Sequence, residues 1–311
     1  MSAVIYPRLA VIGCGLIGGS IVRAARGAGV AGEIVVADIN PAFRERLAEL
    51  NVADQITGDA REAVSGADLV MLATFPGAME AVLREIAPFL KAGATVTDVS
   101  GVKEPVSRAM AAVLPPEVFA IPGHPIAGTE QSGPDAGFAE LFQNRWTILC
   151  PSAARPAGYD EALGRLTKFW EAFGANVELM DDKHHDLVLA VTSHLPHLIA
   201  YTIVGTAAHL EAVSEGEVMK YSAGGFRDFT RIAASDPVMW RDLFLLNKDA
   251  VLEILARFME DVQHLSRAIR WGEGDVLEDH FARAREIRRG VIAAGQESAE
   301  PNFGRDKGRK E

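Results

Sequence analysis

The stretch "LAVIGCGLIGGS", residues 9–20, decides the fold. A short apolar run ends on Gly13, further glycines follow at 15 and 18, and a helical pattern begins at once. Gly13-x-Gly15-x-x-Gly18 between a buried strand and a helix suits a turn whose backbone amides hold a pyrophosphate. Gly13 makes the tight turn, Gly15 lets phosphate approach the backbone, and Gly18 lets the helix close on the strand. Leu16 and Ile17 complete the loop, where helix N-terminal amides attract an anion. A second strand, "EIVVAD" 33–38, ends on Asp38, placed to accept hydrogen bonds from ribose hydroxyls. That carboxylate repels a 2′-phosphate, and Ile39, Asn40 and Pro41 bring no cation to offset it. The expected cofactor is therefore NAD. Arg44 reads as a solvated helix residue and Cys14 as a small loop filler.

Working outward, "DLVMLAT" 68–74, "TVTDVS" 95–100, "VFAIPG" 118–123 and "WTILCP" 146–151 continue the series of strands, with helical patterns between them. Thr74, closing the first of these, joins the candidate cofactor residues. The runs are continuously apolar rather than alternating, which fits strands buried on both faces of a mostly parallel sheet. A helix over 155–174 and a last short strand, "NVELM" 176–180, bring this α/β region to its end. Beyond it the pattern is helical, over 183–210, 235–271 and 275–295. The expected architecture is a Rossmann-type domain over 1–180, an all-α domain over 181–295, and a mobile polar tail over 296–311. Because "LVLAVTSHLPHLIAYTIVGTAAHL" is apolar nearly all round, it is expected to be covered by neighbouring helices or a second subunit, and a homodimer is expected.

With 42 acidic against 31 basic residues among 311, the net charge of -11 argues against nucleic acid as a partner. An anionic small molecule would need cations gathered in a cleft. Cys14 and Cys150 are too few for a disulfide framework, no leader pattern precedes the first strand, and the reading is cytoplasmic. No uninterrupted apolar run approaches the roughly 18 residues of a membrane span, so no membrane is expected.

Four further stretches carry chemistry: "TDVSGVK" 97–103, "GHPIAGTEQSG" 123–133, "SHLPH" 193–197 and "GGFRDFTRIAASDPVMW" 224–240. Together with the glycine loop, over about residues 8–290, they resemble the prephenate and arogenate dehydrogenases of tyrosine biosynthesis. The resemblance implies NAD-dependent oxidative decarboxylation of a cyclohexadienol, with prephenate or arogenate as the small-molecule substrate. It implies His124 as the catalytic histidine, a role its titration range suits. Arg231 becomes the fork for a substrate carboxylate, a task lysine performs poorly. His197, with His194 as a weaker second, Glu130, Thr129 and Trp240 become candidate substrate contacts; Trp240 reads equally well as a core residue. The family commonly reads Asp-x-Gly-Ser-Val-Lys, whereas this chain has Asp98-Val99-Ser100-Gly101-Val102-Lys103, with the serine one position early. Ser100 either assists His124 or caps a helix beginning near 102.

Two rivals share parts of the pattern. A β-hydroxyacid dehydrogenase would assign catalysis to Lys183 but has no place for "SHLPH" or "FTRIAASDP". A non-catalytic NAD-sensing dimer would have no need of His124, His197 and Arg231. A metal site formed by "KHHDL" 183–187 and "SHLPH" fails on spacing, because His184 and His185 are adjacent and point apart. Both are expected to start a helix outside the chemistry.

Overall fold

The computed structural model describes residues 4–211, 220–221 and 223–293. The expected tail over 296–311 lies outside them. Six parallel strands form the main sheet: β1 (Tyr6–Ile12), β2 (Ala31–Ala37), β3 (Gln55–Thr57), β4 (Leu69–Leu72), β5 (Thr95–Asp98) and β6 (Phe119–Ala120), in the order β3-β2-β1-β4-β5-β6. The chain reverses direction across the sheet between β1 and β4, and in open α/β sheets ligands sit outside the carboxyl ends of the strands at such a point. Alternating residues of β1 serve both faces. Leu9 and Val11 enter a core with helices α1 (Leu16–Ala28) and α6 (Tyr159–Glu171). Ala10 and Ile12 enter a second core with α3 (Ala60–Val64), α4 (Met79–Ile86) and α5 (Glu104–Val113). Burial on both faces explains why these strands read as continuous apolar runs. The short β3, three residues with none fully buried, carried no such signal.

The run at 118–123 divides between two sheets. β6 closes the main sheet, and β7 (Gly123–Pro125) opens a three-stranded sheet with β8 (Trp146–Leu149) and β9 (Asn176–Leu179). β7 pairs antiparallel with β8, which pairs parallel with β9. Pro122 stands at the break, where it has no N–H for either ladder, while its carbonyl accepts from Cys150 N at 2.8 Å.

A continuous helical stretch follows: α7 (Asp182–Leu189), a π-helical turn (Ala190–His194) and α8 (Leu195–Glu211). By length and composition, its span Asp182–His209 is long and apolar enough to cross a membrane, although no uninterrupted apolar run marks it in the sequence. Helices α9 (Gly224–Thr230) and α10 (Pro237–Leu246) lead into the long α11 (Lys248–Trp271) and then α12 (Gly274–Ala293). Trp240 and Leu243 of α10 enter the second core of the sheet. Contacts divide the chain into two compact units at Leu252 and Glu253, within α11. The first unit holds both sheets and the helices through α10. In the second, the large apolar residues Met259, Ile269, Phe281 and Ile287 are exposed.

Candidate active site

At the carboxyl end of β1, Gly13 adopts φ +86°, and a side chain there would meet the Ala73 carbonyl after β4 at 2.6 Å. A side chain at Gly18 would strike the Gly13 carbonyl at 2.1 Å. Both glycines therefore let α1 begin directly against the sheet. At Gly15, by contrast, an added Cβ would meet nothing within 4 Å. No side chain caps α1, and its first turn holds no acidic residue, so the amides around Leu16 and Ile17 are disposed toward an anion. Asp38, following β2, accepts from Cys14 N at 2.8 Å and from Asn40 N at 2.9 Å. Each carboxylate oxygen keeps further accepting capacity for ribose hydroxyls. Thr74 contributes a buried hydroxyl that has no partner among the described residues. Open space over Gly15, uncapped amides, the carboxylate and this orphaned hydroxyl fit a dinucleotide. Arg44, expected to be solvated, instead donates to the carbonyls of Asp38 (2.8 Å) and Ile39 (3.0 Å). Burial pushes the Cys14 thiol up to about 12, which agrees with a filler rather than a nucleophile.

The second half of the site begins at buried Asp98. Its carboxylate accepts from Ser100 N (2.8 Å), Lys103 Nζ (2.5 Å) and Gly123 N (3.1 Å), while Lys103 Nζ also donates to Gly123 O (2.6 Å). A buried ion pair persists only when its remaining valences are filled in this way. These bonds tie the loop after β5 to the start of β7 and so fix His124. Ser100 Oγ accepts from Val102 N at 3.4 Å and makes no hydrogen bond to His124 among the described residues. A Cβ on Gly101 would lie 3.8 Å from His124 Cε1, so the family's serine position borders the imidazole. The cap for α5 also differs from expectation. Asp186 of α7 accepts from Lys103 N at 2.7 Å and Glu104 N at 2.9 Å.

Asp186 is preceded by His185, whose side chain is fully buried. His124 Nδ1 lies 2.9 Å from His185 Nε2, and His185 Nδ1 lies 2.8 Å from Asp186 Oδ1. His185 thus belongs with the pocket rather than outside it. Exposed His184 and Lys183 do stand at the start of α7. Burial holds His124 well below the ordinary histidine range, helped by neighbouring His185 and Lys103. Burial lowers His185 as well, with Asp186 acting against it.

On α8, His197 donates from Nδ1 to the Ser193 carbonyl at 2.8 Å and stacks on Trp240 with ring centroids 3.6 Å apart. The assignment leaves Nε2 as an acceptor. Burial, with the nearby Arg231 charge, depresses His197 to about 4. Arg231, on a 3-10 turn at Arg231–Ala234, pairs at 2.7 Å with Glu130, 101 positions away. Thr129 shapes this loop by accepting from Gln131 N at 3.2 Å. His194, the weaker substrate candidate, is 1% exposed; Asn247 Nδ2 reaches its Nδ1 at 3.1 Å, and it also bonds the Gly101 backbone. It braces the pocket wall from inside. Trp240 is a core residue and a ring partner of His197 at once, and its Nε1–H has no partner among the described residues.

Sequence reasoning missed His185, Asp186, Asp98, Lys103 and Asn247, all buried polar groups with at least one partner distant in the chain. Asp98 and Lys103 stand within "TDVSGVK", and the adjacency "HHD" at 184–186 offers a trace of two others. Among the described residues no three His, Cys, Asp or Glu side chains converge as metal ligands.

Residues 21–179 match the family model for the prephenate dehydrogenase nucleotide-binding domain, and residues 181–283 match the prephenate dehydrogenase dimerization domain. The chain is 42% identical to a cyclohexadienyl dehydrogenase of Zymomonas mobilis, over 91% of this chain and 96% of that one. It is 32% identical to a prephenate dehydrogenase of Bacillus subtilis, over 94% and 77%. The solved structure of Aquifex aeolicus prephenate dehydrogenase with hydroxyphenyl propionate and NAD+ superposes with a TM-score of 0.83 at 33% identity, covering 94% of this chain and 99% of that one. With both halves matched in order along nearly its whole length, the chain is an NAD-binding oxidoreductase that belongs to the prephenate dehydrogenase family.

Proposed function

We propose that the protein oxidatively decarboxylates prephenate to 4-hydroxyphenylpyruvate with NAD, and that His124 is its general base. One observation carries the reading. His124 spends Nδ1 on a contact inside the protein, which leaves Nε2 for the substrate hydroxyl. Gly13, Gly15, Gly18, Asp38 and Thr74 would hold the dinucleotide, and what a bound NAD supplies is a hydride-accepting nicotinamide. His124 takes the hydroxyl proton as the carbinol carbon is oxidised. Loss of carbon dioxide then returns its bonding pair to the ring, and aromatisation drives the step. Arg231, held by Glu130, grips a substrate carboxylate, and His197 on Trp240 orients the ring system through Nε2.

A second reading, arogenate as substrate or both substrates together, is favoured by the 42% identity to a cyclohexadienyl dehydrogenase. Side-by-side assays with prephenate and arogenate, each with NAD and NADP, test both. Absorbance of NADH is expected with prephenate and NAD; no signal with either substrate sinks the assignment. We further infer a homodimer, because residues 181–283 match a dimerization domain and Ile269, Phe281 and Ile287 are exposed. Sedimentation at micromolar concentration is expected to give twice the chain mass.

A further inference from the structure

His185 has no place in the chemistry just described, yet it is fully buried against the one ring that does. We propose that His185 is a positioning residue that, backed by Asp186, fixes which nitrogen of His124 carries the proton. The hydrogen bonds allow one sense only. Asp186 Oδ1 and Oδ2 already accept from the amides of Lys103 and Glu104, so Oδ1 faces His185 Nδ1 as an acceptor. His185 Nδ1 therefore carries a hydrogen, and in a neutral ring its Nε2 must accept. His124 Nδ1, 2.9 Å away, donates to that lone pair, which leaves its own Nε2 unprotonated.

The same chain assists when His124 takes up a proton. The imidazolium Nδ1–H points at His185 Nε2, whose polarisation toward Asp186 spreads the new charge. Burial favours the neutral form of His185; in that form it adds none of the repulsion a charged ring would exert, and its lone pair works against the burial and the Lys103 charge that lower His124. Other charged or titratable groups facing the pair are Lys103 and Asp98 from the loop and strand before α5, and His194 from the π-turn. Lys103 and Asp98 bond to each other, and His194 is satisfied by Asn247 and Gly101, so none competes for the His185 Nε2 position.

This inference rests on the reading of His124 as the base, and two measurements keep them apart. In NAD-loaded protein with 15N-labelled histidine, NMR is expected to show His124 as the Nδ1–H tautomer; an Nε2–H tautomer overturns the proposal without any turnover being measured. In kinetics, His185→Phe is expected to lower kcat on the order of thirtyfold, leave both KM values within about twofold, and move the acid limb of the kcat profile down by about one pH unit. His185→Gln, which restores an acceptor near Nε2, is expected to recover part of the loss. A His185→Phe enzyme with unchanged kcat and acid limb, or a glutamine variant no better than phenylalanine, refutes the role. Should His185→Phe fail to fold, the tautomer of the wild-type protein decides. If His124→Asn kept full turnover, the base itself would be misassigned, whatever the tautomer.

Discussion

The glycine loop and the histidine pocket serve one reaction with different materials. Around residues 13–18 the useful groups are backbone amides and empty space, placed by residues that have no side chain to obstruct them. In the histidine pocket they are side chains held by other side chains: Asp98 by Lys103, His124 by His185 and Asp186, His197 by Trp240, and Arg231 by Glu130. A backbone site tolerates change in anything except shape; a side-chain site fails when one partner is lost. Substitutions should therefore separate the two halves kinetically.

The largest effect is expected for His124→Asn, which should cut kcat about a hundredfold or more while NAD affinity is kept. A loss confined to substrate affinity would make His124 a binding group instead. Arg231→Ala should raise the substrate KM roughly thirtyfold through loss of a charge-assisted fork, with a smaller change in kcat. An unchanged KM removes Arg231 from the pocket. Gly15→Ala should sharpen the contrast from the other side, since its methyl group enters open space in the fold but sits where a phosphate would approach. The expected result is about a tenfold weaker NAD KM at an unaltered melting temperature; a lowered melting temperature would mean that the cradle depends on packing after all.

The smallest effect concerns pH. Burial lowers His194 and the half-buried His197 to about 4 in the folded chain, from the ordinary 6.5. Between those limits the unfolded chain binds more protons, so stability falls as pH is lowered from 6.5 toward 4. A melting temperature several degrees lower at pH 5 than at pH 7 is expected, with His197→Gln reducing the difference; a flat profile would show that these rings protonate without unfolding cost.

The same contrast explains what could be read from the sequence. Gly13, Gly15, Gly18 and Asp38 declare themselves because their spacing follows from local geometry, one strand, one turn and one helix. His124, His197 and Arg231 were legible through the family resemblance rather than through chemistry visible in their neighbourhoods. His185 and Asp186 were not legible, because their meaning comes from His124 and from the start of α5, 61 and 83 positions away. Ser100 shows the opposite case. A hydroxyl near the right place suggested a role, while the backbone sets Gly101 against the ring and hands the helix cap to Asp186.

The π-turn at Ala190–His194 lies between the two functional parts of a single helical stretch. An α-helix turns about 100° per residue, so the twelve steps from His185 to His197 would leave these rings about 120° apart in projection. One residue absorbed by a π-turn brings that separation to about 20°. The same residues wound as regular α-helix would swing His197 off the side shared with His185, whereas deleting a single residue from 190–194 would heal the ladder and keep the two rings aligned. At this point in the chain, length itself is an active-site parameter, and a perfected helix of the same length would make a worse enzyme.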